Sequence, residues 1–231
     1  MLSNRIKSLP ASATLAMAAK ARELKNQGID IIGLSLGEPD FNTPEFIKEA
    51  AIQAVKDNYN SYSPVDGYAD LKAAICQKFK RDNGLEYQTS QIVVSTGAKQ
   101  SIANVCMVML DPGDEVLLPA PYWVSYSAIA TLAEAKSIII PSSISNDFKI
   151  TPEQLETAIT PKTKLVMFNS PNNPSGTIYT EAEYRALGAV LQKYPNIFIL
   201  SDEIYEHINY GTAHFSIAAI PELYDRTITV N

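Results

Sequence analysis

Five short apolar runs, separated by stretches with helical periodicity, constrain this chain more than any other feature. They are "EVLLP", "KSIIIP", "KLVMFN", "IFILSD" and "RTITVN". Neighbouring parallel strands need a crossover between them, so alternating strand and helix patterns predict an α/β fold with a mostly parallel sheet. "QIVVST" reads as a further strand ahead of these. Helices are expected over 14–27, with Met17, Ala21 and Leu24 on one face and Gly28 as the stop. Another opens at Thr43-Pro44, with Ile47, Ala50, Ala51 and Ala54 facing inward. Leu71, Ala74, Ile75 and Phe79 mark a third, closed by Asn83-Gly84. "KQSIANVCMVML" and "VSYSAIATLAEA" continue the rhythm. Thr151 with Gln154, and Thr180 with Glu183, are spaced as capping boxes.

Composition narrows the class. With 231 residues, 46% hydrophobic and 19% charged, the chain can bury a substantial core and falls among ordinary globular proteins. A net charge of −6 gives no reason to expect nucleic acid or an anionic membrane as a partner. No apolar run approaches the ~18 residues of a membrane span. Arg5 and Lys7 before "TLAMAAKA" imitate a secretory leader, but the apolar stretch is short, and Lys20, Arg22, Glu23 and Lys25 continue its pattern. Cys76 and Cys106 sit in helical apolar patterns, which suits free thiols in a reducing, cytoplasmic setting. The last strand has no helix after it to cover its face, so the chain reads as the first part of a longer protein.

Ligands of open α/β sheets sit beyond the carboxyl ends of the strands. Four clusters fall there: Thr96-Gly97-Ala98-Lys99, Ala120-Pro121-Tyr122-Trp123, "NSPNNPSG" at 169–176, and Ser201-Asp202 with Tyr205. Singly each has a plain explanation, as turn, core residue or helix cap. Together they describe a site. N–H groups at the helix start after Gly97 favour a phosphate. Trp123 offers a flat apolar face. Asn173 and Tyr205 offer hydrogen bonds to a ring oxygen. Asp202, driven to the end of a buried strand, asks for a cationic N–H donor. Pyridoxal 5′-phosphate meets the whole set, its ring nitrogen being characteristically paired with an aspartate.

Other chemistries lack their motifs. No G-x-G-x-x-G follows the first strand, and "STGAKQS" lacks the spacer of a P-loop. Glu203, Glu206, His207 and His214 do not have hydrolase metal-ligand spacing and read as a solvated, partly capped segment, so no metal is expected.

"LSLGEPDFNTP" (34–44), "STGAKQ" (95–100), "PAPYWVSY" (119–126), "NSPNNPSG" and "SDEIYEH" (201–207) occur in order. Together they resemble class I aminotransferases of the fold-type-I pyridoxal-phosphate enzymes, near the bacterial aspartate aminotransferase group. The resemblance implies a three-layer α/β/α large domain with a mostly parallel seven-stranded sheet over residues 46–231. Residues 1–45 would then be an arm and the start of a small domain. It implies that Gly97, Ala98 and the Lys99 backbone hold the phosphate, Trp123 stacks on the ring, Asn173 and Tyr205 contact the 3′-oxygen, and Asp202 binds the nitrogen. Gly37, in the Gly37-Glu38-Pro39-Asp40 turn, would lie with Trp123 and Asn173 beside the substrate. The Lys99 side chain would help read an acidic substrate. Tyr62 would reach the phosphate of a neighbouring subunit in a homodimer. Asn173-Pro174 is a candidate cis peptide.

The implied reaction moves an amino group between an L-amino acid, aspartate first, and 2-oxoglutarate. The lysine that forms the Schiff base in this family is expected beyond Asn231, so the 231-residue chain is expected to be inactive alone. The contrasting reading is a truncated, non-catalytic family member kept as a binding or interaction module.

Overall fold

Strands covered on both faces need near-continuous apolar residues. Of the five runs, "VLL", "KLVMF" and "IFIL" come closest, while "KSIIIP", with Lys136 and Ser137 at its start and Ile139 exposed, suits an edge. In the computed structural model the five runs become β1 (Glu115–Pro119), β2 (Lys136–Ile140), β3 (Thr163–Asn169), β4 (Phe198–Asp202) and β5 (Thr227–Val230). They form one sheet in the order β2-β1-β3-β4-β5, with every neighbouring pair parallel. The structure describes residues 2–9, 11, 13–33, 37, 41–211 and 213–231, without the side chains of 13 and 14. It comprises two units, one of Met1–Leu9 with Val65–Asn231 and one of Pro10–Pro64. The sheet belongs to the first.

Strand alternation sorts the core into two sides. Leu117, Val166, Phe168 and Ile199 pack with α7 (Pro152–Ala158) and α8 (Glu181–Leu191) through Leu155, Tyr184, Leu187 and Leu191. Val116, Leu118, Leu165, Met167 and Leu200 point the other way. They meet α5 (Ala98–Met109) and α6 (Ser125–Leu132) through Ile102, Cys106, Tyr126 and Ile129. The result is helix, sheet, helix. Each such side chain contributes roughly 1.5–3 kcal/mol by leaving water. Thr151 and Thr180 make the reciprocal cap bonds with Gln154 and Glu183 that their spacing predicts. α4 (Ala69–Lys78) runs into a π-turn at Phe79–Asn83 and stops at Gly84, whose φ of +67° suits glycine.

The other unit holds α2 (Ala13–Asn26) and α3 (Glu45–Lys56), and α1 (Asn4–Lys7) precedes it. Here one expectation fails. Ile47, Ala50 and Ala51 of α3 are exposed and Ala54 is only half-buried. A segment of this length with two helices has too little apolar surface of its own to cover that face.

"QIVVST" also departs from expectation. A strand needs a neighbour's ladder. Val94 instead donates its N–H to the Asp66 carbonyl at 3.1 Å, after a 3₁₀ turn at Thr89–Gln91, and Val93 stays exposed. The Asn173–Pro174 peptide is cis, as are Ala120–Pro121 and Ser170–Pro171.

Candidate functional site

The parity that sorts the core also aims the site. Asn169 ends β3 two residues past Met167, and Asp202 ends β4 two residues past Leu200. They are register partners, so both leave the sheet on the α5 and α6 side. Both are buried, Asp202 with 3% of its surface exposed. The Asn169 side-chain amide donates to the Asp202 carbonyl at 2.9 Å, and its oxygen accepts the Asn173 N–H at 2.7 Å. Asn169 therefore links the strand end to the polar turn. The Asn173 amide nitrogen in turn reaches the Tyr205 hydroxyl at 3.4 Å.

What meets Asp202 in the protein itself is Tyr126. Its hydroxyl donates to Oδ2 at 2.5 Å, and the Ile204 N–H donates to Oδ1 at 3.2 Å. Burial is the largest influence on this carboxyl and pushes its pKa above the ordinary aspartate value; the bonds from Tyr126 and Ile204 pull the other way. Tyr126 is held neutral by the same burial and by the nearby Asp202 charge, its pKa raised well above the usual phenol value.

Above Asp202 lies a cavity of about 130 Å³ lined by Ala98, Trp123, Tyr126, Asn169, Asn173, Asp202, Ile204 and Tyr205. That is close to the ~150 Å³ that accepts a benzene-sized ring. Trp123 meets Tyr126 edge-on, with ring centroids 5.5 Å apart. The Lys99 ammonium sits over the indole, 4.7 Å from its centroid. Gly97, at φ +83°, caps α5 in a conformation that strains any other residue. It is followed by the first-turn N–H groups of Ala98 and Lys99, which precede any intrahelical acceptor. An accepting carboxylate, with an amide, a phenol and a helix tip as donors, matches the groups of a phosphorylated, hydroxylated pyridine.

Of the residues singled out from sequence, the structure gathers Ala98, Trp123, Asn173, Asp202 and Tyr205 around one cavity, with Gly97 and Lys99 adjoining it. Gly37 and Tyr62 belong to the other unit, both exposed. Glu38, Pro39 and Asp40 of the expected entrance turn lie outside the described residues. Tyr126 and Asn169 were not anticipated. Two signals pointed to them: Asn169 continues the alternation of Leu165 and Met167, and Tyr126 lies one helical turn from Trp123.

The acidic segment after β4 corrects another expectation. Glu203 and Glu206 are buried, not solvated. With His214 they bring one ligand-type atom each within 4.8 Å of one another. Protein donors meet these carboxylates: Ser201, Ser216 and His214 on Glu203, and Lys78 and Asn83 on Glu206.

Comparison with known proteins agrees with this architecture. The model of the family "Aminotransferase class I and II" matches residues 29–231. The aspartate/prephenate aminotransferase of Nitrosomonas europaea is 50% identical over all of this chain, and the aspartate aminotransferase of Bacillus subtilis is 48% identical. The chain spans 58% and 59% of their respective lengths. Among solved structures, the aspartate aminotransferase of Rhizobium meliloti superposes with a TM-score of 0.96 at 45% identity, over 99% of this chain and 58% of that one. The aspartate aminotransferase of Thermus thermophilus with maleate gives 0.95 at 40%, over 99% and 59%.

Proposed function

Because the chain belongs to the class I and II aminotransferase family, we propose that its cavity holds pyridoxal 5′-phosphate. In a whole protein that also supplies the Schiff-base lysine, the site would then serve amino transfer between an L-amino acid, aspartate first, and a 2-oxo acid such as 2-oxoglutarate or prephenate. The observation that carries the reading is Asp202, a buried carboxylate at the floor of a ring-sized cavity that opens beside an indole. When bound, the cofactor supplies an electron sink for charge developing at the substrate α-carbon.

The chain's own residues prepare that sink. Ionised Asp202 accepts the ring N–H and keeps the proton on the nitrogen. Tyr126 holds the carboxylate in place through Oδ2. Ala98 and Lys99 offer backbone N–H groups to the phosphate, and Gly97 lets the chain turn into the helix there. Asn173 and Tyr205 face the ring oxygen, and Trp123 excludes water from one ring face. Lys99, with its charge over the indole, is assigned to the acidic end of the substrate. Tyr62 is assigned to the phosphate of a second subunit, which makes the protein a homodimer with shared sites. A cytoplasmic setting fits the two unpaired cysteines.

The test uses the sole tryptophan as reporter. Titrating pyridoxal 5′-phosphate into the chain should quench Trp123 fluorescence saturably, and D202N should weaken binding strongly. Absence of quenching, or equal affinity in D202N, contradicts the reading.

A further inference from the structure

Behind the cavity, one carboxylate joins both ends of the segment that carries Tyr205. Glu203 directly follows Asp202, and alternation turns it to the opposite side, that of Ile199. It is 0% exposed. Oε1 accepts from the Ser201 hydroxyl at 2.8 Å and the Ser216 hydroxyl at 2.7 Å, and Oε2 meets His214 Nε2 at 2.9 Å. Its backbone N–H donates to the Val230 carbonyl at 2.8 Å, and its carbonyl accepts the Glu206 N–H at 2.9 Å. The His214 side chain is 9% exposed, and its Nδ1 has no partner among the described residues. Glu203 thus supplies the hydrogen bond that orients the His214 ring.

Burying a carboxylate is costly unless donors replace its water. Here Ser201 comes from β4, while His214 and Ser216 come from the far end of the excursion. Between them the chain passes Ile204 and Tyr205, both on the cavity wall. Releasing the Glu203 side chain would untie the far end of that excursion from β4, leaving Ile204 and Tyr205 held from the near end only, through the Ile204 N–H on Asp202 and the Glu203 N–H on Val230.

We propose that Glu203 is a positioning residue of the cofactor site: clamped by Ser201, Ser216 and His214, it holds the turn that keeps the Tyr205 hydroxyl beside Asn173, and so sets the hydrogen bond to the ligand's ring oxygen. Glu203 touches no ligand itself. The proposal rests on the pyridoxal-phosphate reading above.

The test compares E203Q, Y205F and the double variant in the full chain. Hydrogen exchange over residues 203–211 should be at least about tenfold faster in E203Q, with β3 unchanged. The Kd for pyridoxal 5′-phosphate, read from Trp123 quenching, should rise about tenfold in E203Q and in Y205F, as for one lost hydrogen bond. In the double variant it should rise little beyond Y205F alone, because both changes remove the same interaction. S216A and S216A/Y205F repeat the comparison if E203Q does not fold. An E203Q effect undiminished in the Y205F background, or unchanged exchange over 203–211, overturns the proposal. If the unaltered chain binds no pyridoxal 5′-phosphate, the cofactor reading fails and the cofactor-site role with it, while the exchange result still decides whether Glu203 holds the turn.

Discussion

The two sides of the β4 rim treat a carboxylate differently. On the cavity side, Asp202 receives one side-chain donor and one backbone N–H, and its remaining lone pairs face a space lined by Trp123 and Asn173. On the interior side, Glu203 receives three side-chain donors and adjoins no cavity described above. An ionised carboxylate accepts about four hydrogen bonds. Asp202 is therefore left with about half of its capacity, facing the cavity, whereas Glu203 uses three of about four positions within the fold. Adjacent acids of similar burial can serve binding and architecture separately, and the neighbours decide which.

The largest expected effect breaks the cavity side. D202N should weaken pyridoxal 5′-phosphate binding by at least about 30-fold, because loss of one partner of a buried charge pair costs roughly 2–5 kcal/mol. Chemical denaturation of the apo-chain should change far less, which separates binding from folding. The reverse holds across the rim. E203A leaves the Ser201, Ser216 and His214 donors unpaired, at roughly 1–3 kcal/mol per buried group. Its free energy of unfolding, read from chemical denaturation, should fall by several kcal/mol.

pH sharpens the contrast. Folding raises the Asp202 pKa, so the native state holds that proton more tightly than the unfolded chain. The Asp202 contribution to apo-protein stability accordingly declines as pH rises from the ordinary carboxylate range through the raised value. Cofactor affinity should run oppositely, falling on acidification through the same window as Asp202 loses its charge. Y126F removes a bond that favours the ionised form, so its acid limb should move to higher pH, with affinity at neutral pH reduced by about tenfold or less. A titration of affinity against pH checks both. The smallest effect lies away from the rim: T180A removes the α8 cap and should cost ~1 kcal/mol in stability with cofactor affinity unchanged.

The rim was readable from sequence where position along a strand decides the outcome. Asp202, Asn173 and Trp123 follow runs that form parallel strands, which place such residues at one edge, whereas Gly97 follows a run that forms no strand and was legible only as a helix start. The helix caps at Thr151 and Thr180 were equally local, since four adjacent residues contain the whole motif. What escaped depends on register between distant segments. Tyr126 and Asp202 are 76 positions apart, and only the packing of α6 against β4 makes them partners. Glu203 and His214 were visible as residue types, yet their burial follows from the return of the chain at Ser216. "QIVVST" had the composition of a strand but no ladder beside it, and composition alone does not supply a neighbour.

The pairing of Asp202 with a ring nitrogen is the claim on which the functional account turns. The direct measurement is the ¹⁵N chemical shift of pyridoxal 5′-phosphate labelled at the ring nitrogen, bound to the chain near neutral pH. A protonated pyridinium signal that reverts to the unprotonated position in D202N is the predicted result. An unprotonated nitrogen in the unaltered chain, or a protonated one that survives D202N, would contradict it.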